Sequence, residues 1–472
     1  MRDGFPVPYS LILLCILLGV AAGAAVAWVN PLIVIAGVVG LVVGVALLQH
    51  LQWSVWALIG VLTLLPFGAV RLGIGFNPTF LNLAFLATLA AWAMLLVGRQ
   101  IEGWRGSALG LPTLLYAGVA VFGFVLGTAN AAPSRDLTRR FVEFLLAVSL
   151  VWLLPNILRH RRQVLQAARV LILCGGLAAA LGVGLYVVPD AVAVRVLSAL
   201  RVFDYPAGPG VLRFINDDPS LAQRATGTSI DPNAFGGLLI VVTALTIPHL
   251  FARRPLVPPR LAWTLVGVMG LAVFATRSRG SMLGLLAAAG FIALLRYRRL
   301  LVWMLVAVAL ILVLPWTQDY VANFFAGVRG QDLSTQMRFG EYKDAFLLIS
   351  RHPWLGVGYA ATPDIDLYIG VSSLYLLMAE NIGLIGLSVF LLVMARVFLV
   401  ARGGWSGADA EMEPVVLGGA AALAGVLVAG VFDHYFANIK FPASVTLFWL
   451  VVALTTTAAQ MAVDETKPDE TA

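Results

Sequence analysis

Four arginines, Arg224 and Arg338 in long polar segments and Arg277 and Arg279 in a short turn between two apolar runs, each lie within three residues of a glycine. A guanidinium is permanently charged and planar, and its paired N–H groups match phosphate oxygens two at a time. Several converging at a membrane surface could hold a lipid-linked diphosphate and neutralise it as it leaves, without a metal ion. Headgroup binding or snorkelling at a helix end is the ordinary alternative for any one of them. Arg277 and Arg279 are distinctive because the turn Thr276-Arg-Ser-Arg-Gly-Ser281 is too short to leave a membrane surface. An arginine drawn into the bilayer costs roughly 2.5–3.5 kcal/mol on insertion scales, so it usually faces a cavity or a partner.

A leaving diphosphate needs an incoming hydroxyl and a base to take its proton. Glu341, one helical turn after Arg338, is the first candidate, and a surface ion pair with Arg338 is its plain alternative. His352, before Pro353, is the second, or else a group that orients its loop. Glu380 lies inside an apolar run, where a carboxylate defaults to a functional hypothesis but can also cap a helix or pair with an arginine. Asp433 and His434 are adjacent beside the penultimate apolar run and could line an acceptor path or simply end a helix in water. Tyr342 could stack on a sugar or anchor the chain at an interface. Asp231, before Pro232, reads as a helix cap.

The elements that must position these residues are membrane helices. The chain has 472 residues, 60% apolar and 12% charged, where soluble domains run near 25% charged. Apolar runs of this length span hydrocarbon. About fourteen spans (12–14) are expected in an all-α polytopic protein, near 10–29, 31–48, 51–70, 79–98, 109–128, 140–158, 165–188, 233–251, 261–276, 281–296, 300–315, 373–400, 414–433 and 441–462. Basic residues fall at alternate short loops, which places both termini in the cytoplasm. The whole chain, 1–472, reads as one integral membrane domain. Its outer side carries a loop over 189–232 with arginines and a large loop over 316–372. The large loop holds short helices, one of them amphipathic from near Asp332–Ser334. Residues 464–472 read as a disordered cytoplasmic tail. GxxxG spacing at Gly19–Gly23 and Gly40–Gly44 suits close helix packing. Proline-interrupted pairs of half-helices are not evident.

Several classes of function drop out. The net charge of +7 is scattered among loops, with no basic arm, which argues against nucleic acid. Cys15 and Cys174 both lie in apolar runs and suggest neither a disulfide framework nor a zinc site. No phosphate-cradling loop of the GxxxxGK[ST] type occurs. Asp364-Ile-Asp366 matches a nucleotide-sugar metal motif by chance, being on the outer side. No cofactor and no metal site are expected.

Read together, Arg224-x-x-Gly…Asp231-Pro-Asn, Ser278-Arg279-Gly280, Arg338, His352-Pro-Trp-Leu-Gly-Val-Gly358, Glu380-Asn-Ile-Gly-Leu-Ile-Gly386 and a late Asp433 resemble the O-antigen ligase and O-antigen polymerase superfamily. The resemblance runs from about residue 60 onward. It implies a large outer loop between late helices, an undecaprenyl-diphosphate-linked glycan as donor, and metal-independent transfer to a sugar hydroxyl at the periplasmic face of the bacterial inner membrane. It also implies that Arg224 and Arg338 bind the diphosphate. In the ligases a histidine precedes the re-entering helix and is the favoured base. Here that place reads Ser372-Ser373, which tilts the reading toward a polymerase or a ligase for another acceptor. The expected partners are this donor, a glycan or lipid-glycan acceptor, and membrane lipid. A transporter or flippase for lipid-linked oligosaccharide is the alternative. It would place charges deep in several helices, whereas here the polar mass gathers on one side.

Overall fold

Prolines, glycines and capping side chains cut the apolar runs into helices. The computed structural model describes Gly44 and residues 51–71, 77–98, 103–331, 333–360 and 370–464. It is mostly helical, 74%. In chain order the described helices are α1 (Leu51–Leu64), α2 (Phe80–Val97), α3 (Gly110–Gly127), α4 (Arg135–Ile157), α5 (Arg161–Val187) and α6 (Asp190–Ala199). A two-stranded antiparallel hairpin follows, β1 (Arg213–Phe214) and β2 (Gln223–Arg224), with Arg213 opposite Arg224. The rest are α7 (Pro232–Thr246), α8 (Pro259–Ala275), α9 (Arg279–Leu295), α10 (Arg299–Val313), α11 (Gln318–Val328), α12 (Leu333–Arg351), α13 (Leu374–Gly407), α14 (Glu413–Ala429) and α15 (Pro442–Asp464).

The count of about fourteen spans is not confirmed. Among the described residues, six helical segments are long and apolar enough to cross a membrane, and six more apolar helices run 10–17 residues. At 1.5 Å per residue the shorter ones reach at most about 26 Å, less than the roughly 30 Å hydrocarbon core. These twelve fall on twelve of the expected spans. The segments 10–29 and 31–48, the tail beyond Asp464, Asp332 and Asp364–Asp366 lie outside the described residues, as do the GxxxG stretches apart from Gly44.

Side-chain size decides how the helices meet. α7 and α15 are buried over nearly their whole length, while α10 turns almost every described side chain outward. α9 and α14 cross at Gly284 and Gly425. A Cβ on Gly425 would lie 2.6 Å from the Gly284 carbonyl oxygen, and one on Gly284 would lie 2.7 Å from that of Gly425. Only glycine permits that approach.

One span is interrupted, at a glycine rather than a proline. α13 breaks at Gly383, where φ is 69° and ψ is −178°. The break exposes backbone groups that hydrocarbon could not satisfy. The loop His352–Gly358 pairs with them. The Pro353 and Trp354 carbonyls accept from Leu384 N and Ile385 N at 2.8 and 3.3 Å. Val357 N and Gly358 N donate to the Glu380 and Asn381 carbonyls at 2.8 and 2.9 Å. Gly358 then sits against Gly123 and Gly127 of α3. The motifs around His352 and Glu380 thus form a backbone clasp within the bundle.

The loops sort to two ends. At one end the α1–α2 loop bonds to the segment after α6 (Ala69 N to Phe203 O, 2.8 Å), β2 bonds to the end of α8 (Ala225 N to Ala275 O, 2.9 Å), and the start of α13 bonds to the α14–α15 loop (Leu374 N to Asp433 O, 3.0 Å). At the other end Arg105 bonds to Asn156 and Arg159. There Arg161 pairs with Asp409 and, at 3.0 Å, with Glu411.

Candidate active site

Capping chemistry sets the first wall. Asp231 accepts from Asn233 N and Ala234 N at 2.8 Å and so starts α7, as its place before Pro232 suggests. That leaves the Asn233 side chain free to accept from Arg224 Nη2 at 2.7 Å. Arg224 Nε donates to the Thr276 carbonyl at 2.9 Å, which ties the hairpin to the α8–α9 turn. Both partners of Arg224 are neutral. Burial lowers the Arg224 pKa, Asp231 and Asp433 act against that, and the Arg338 charge adds to it.

Arg277 occupies that turn with φ of 51°, a left-handed conformation that costs a non-glycine residue on the order of 1 kcal/mol. Its Nε is buried without a hydrogen-bond partner among the described residues. Two residues on, Arg279 begins α9, whose N-cap is Ser278. Arg279 Nη2 reaches Thr335 Oγ1 of α12 at 3.4 Å. Thr335 is one turn before Arg338, so the two arginines approach the same stretch of α12. Arg338 is half-buried and makes no hydrogen bond or ion pair among the described residues. Its charge acts on Arg224 and on Asp433. Asp433, four residues past α14, has its carboxyl raised by burial, while His434 and Arg338 pull it down. The structure therefore gathers Arg224, Arg277, Arg279, Arg338 and Asp433 at one end.

Glu341, one turn along α12, faces elsewhere. It makes no ion pair with Arg338 among the described residues. Its Oε2 accepts from Ser372 N at 2.9 Å, and it lines a cavity of about 950 Å³. The opposite walls are Asp136 and Arg140 from the start of α4, and His434 and Lys440 from the α14–α15 loop. Arg140 is held by Asp136 at 2.7 Å and by the Lys440 carbonyl at 2.7 Å. Tyr342 spans two loops, its hydroxyl 3.2 Å from Ser372 O and 3.3 Å from Val431 O. That is a bracing role, and burial raises its pKa.

Two sequence candidates are not grouped with the arginines. His352 follows α12, fourteen residues from Arg338, about 21 Å along a helix axis. Glu380 is buried, and its electrostatic neighbours are Glu341 and Asp344 rather than an arginine. Thr335, Arg140 and Lys440 did not stand out in the sequence, and Asn233 did so only as the last residue of the Asp231-Pro-Asn motif. Asn233 follows a capping aspartate, a signal visible once the cap is known. Arg140 and Lys440 meet across 300 residues, and nothing local marks them.

Residues 264–391 match the family model described as O-Antigen ligase. The match supports the resemblance to the O-antigen ligase and polymerase superfamily. The matched segment is a little over a quarter of the chain and carries Arg277, Arg279, Arg338 and Glu341, while Arg224, Asp433 and His434 lie outside it. The match supports a membrane glycan enzyme of ligase or polymerase type, in keeping with the many apolar helices. No curated protein matches the chain.

Proposed function

We propose that the protein transfers a glycan from undecaprenyl diphosphate to a sugar hydroxyl at the periplasmic face of the inner membrane. The observation that carries this reading is Arg338. It is a half-buried guanidinium with no bonded partner among the described residues, set beside Arg224 and one turn from Glu341. A cation kept in that state suits a dianionic ligand group. Arg224, Arg277, Arg279 and Arg338 hold the diphosphate, and the acceptor enters the cavity beside Glu341. The acceptor hydroxyl attacks the anomeric carbon, the bond from that carbon to the phosphate oxygen breaks, and the hydroxyl proton passes to Glu341. The arginines stabilise the charge that grows on the departing undecaprenyl diphosphate, so no divalent ion is required for this step. One displacement inverts the anomeric carbon. Both polymerase chemistry and ligation to an acceptor other than lipid A core fit this arrangement.

Purified protein in liposomes, given a lipid-linked repeat unit and an acceptor glycan with chelator present, tests the reading. The expected outcome is product formation that Arg338→Ala abolishes. Movement of the donor across the bilayer without a new glycosidic bond would instead mark a flippase. Loss of transfer on adding chelator would overturn the metal-free step.

A further inference from the structure

The cavity beside Glu341 holds one imidazole, and its hydrogen bonds decide which nitrogen carries the proton. His434 Nδ1 lies 3.0 Å from Asn438 Nδ2. The Asn438 amide cannot be turned over, because its Oδ1 accepts from Lys440 N at 2.9 Å, and a backbone N–H only donates. Asn438 Nδ2 is likewise only a donor, so His434 Nδ1 must accept. The neutral ring then carries its proton on Nε2. That nitrogen has no partner among the described residues, and the side chain lines the cavity. The ring is steadied by Phe441, 5.7 Å away between centroids, and by its own backbone N–H, which donates to Asp433 Oδ1 at 2.9 Å.

We propose that His434 presents a fixed Nε2–H donor to the acceptor glycan, binding one of its oxygens and positioning it, and that Asn438 sets this tautomer. The inference rests on the reading of the cavity as the acceptor side. It has a chemical consequence. While Asn438 is in place, Nε2 has no lone pair in the plane to take a proton. His434 is therefore not the base, and the proton goes to Glu341 across the cavity. A histidine of this chain serves the acceptor from the α14–α15 loop, although the place before α13 holds Ser372-Ser373.

The tautomer gives a test that a purely structural histidine would not pass. In Asn438→Asp the new carboxylate still accepts from Lys440 N but now also accepts from Nδ1–H. Nε2 then donates only while the ring is cationic. The charged groups around the ring are Asp433 and Lys440 on its own loop, Asp136 and Arg140 from α4, and Glu341 from α12. All of them remain in this variant. Acceptor KM and kcat are measured in liposomes with a lipid-linked glycan donor. His434→Ala should raise acceptor KM roughly tenfold, the size of one good hydrogen bond, with donor affinity unchanged. His434→Gln, whose amide restores a donor, should recover most of that loss. Asn438→Asp should show acceptor KM climbing several-fold as pH rises from about 6 to about 9, beyond any trend in the wild type. An unchanged acceptor KM in His434→Ala, or an Asn438→Asp profile parallel to the wild type, would overturn the assignment while leaving the transferase reading intact. Wild-type protein that binds donor but forms no product would remove the reading and this inference with it.

Discussion

At the end of the bundle that carries Arg105, Arg159, Arg161, Arg254 and Arg296, the guanidinium groups meet acids or carbonyls. Arg161 pairs with Asp409 and Glu411, Arg254 with the same Glu411 at 3.8 Å, and Arg296 with Glu413 at 2.6 Å. Arg105 and Arg159 bind backbone carbonyls at 2.7 and 2.6 Å. At the other end Arg224 has only neutral partners, Arg277 keeps a buried Nε unbonded, and Arg338 bonds to nothing described. The residue type is the same and the use differs. Arginines of the first kind close loops onto one another. Those of the second kind make no ion pair among the described residues, and Asp231 and Asp433 act on Arg224 only from a distance, an arrangement that suits the proposed phosphate site. Acidic groups do occur at the second end: Asp136, Asp204 and Asp217 pair with Arg139, Arg140, Arg71 and Arg213, while Asp231 and Asp433 act on Arg224 without bonding to it.

Substitutions can break this contrast. Glu341→Gln should have the largest effect, a loss of roughly 10²–10⁴-fold in kcat. Glutamine still accepts from Ser372 N, so the donor affinity and thermal unfolding of the variant should match the wild type. Next, Arg338→Ala should lower kcat by roughly 10²–10³-fold with Tm nearly unchanged, because no bond within the protein is lost. Arg161→Ala at the opposite end should do the reverse. Its pairs are partly exposed and worth about 1 kcal/mol together, so Tm should fall by about 1 °C while turnover per folded molecule holds. Equal losses of stability from both substitutions would erase the distinction.

Asp433 sharpens the contrast with the smallest effect. Burial raises its carboxyl above the ordinary range despite Arg338 and His434. A carboxyl raised in the folded state adds stability while protonated. That contribution is present below its unfolded value, about 3.9, and is lost as pH rises through the folded value. Asp433→Asn should therefore lose less stability than the wild type as pH rises above about 4, a difference of about 1 °C or less in Tm. A variant curve parallel to the wild type would show that the carboxylate is fully compensated by its neighbours.

Much of this was legible in the chain because composition and local spacing carry it. Helices follow from apolar runs, and Arg277 and Arg279 stand out because a six-residue turn gives a guanidinium nowhere to go. Asp231 announces its cap through Pro232. What stayed hidden depends on distant pairing. Glu341 looks like a partner for Arg338 at one-turn spacing, but its carboxylate finds Ser372 N, 31 residues on. Gly383 looks like a packing glycine in an apolar run, yet it breaks α13, and a Cβ there would lie 2.1 Å from the Trp354 carbonyl oxygen. His352 and Glu380, read as possible acid–base groups, belong to the segments that repair that break. Tyr342, read as a sugar platform, has its hydroxyl committed to two carbonyls. His434 was visible as a polar residue beside Asp433, but its tautomer depends on Asn438 and, through it, on Lys440 N.

The decisive quantity is the affinity of protein in nanodiscs for undecaprenyl diphosphate itself, compared among the wild type, Arg338→Ala and Arg161→Ala. Arg338→Ala should weaken binding at least tenfold and Arg161→Ala should leave it within about twofold, since only the first removes a charge-assisted contact to phosphate. Equal affinity in all three proteins would contradict the phosphate cradle, whatever the variants did to turnover.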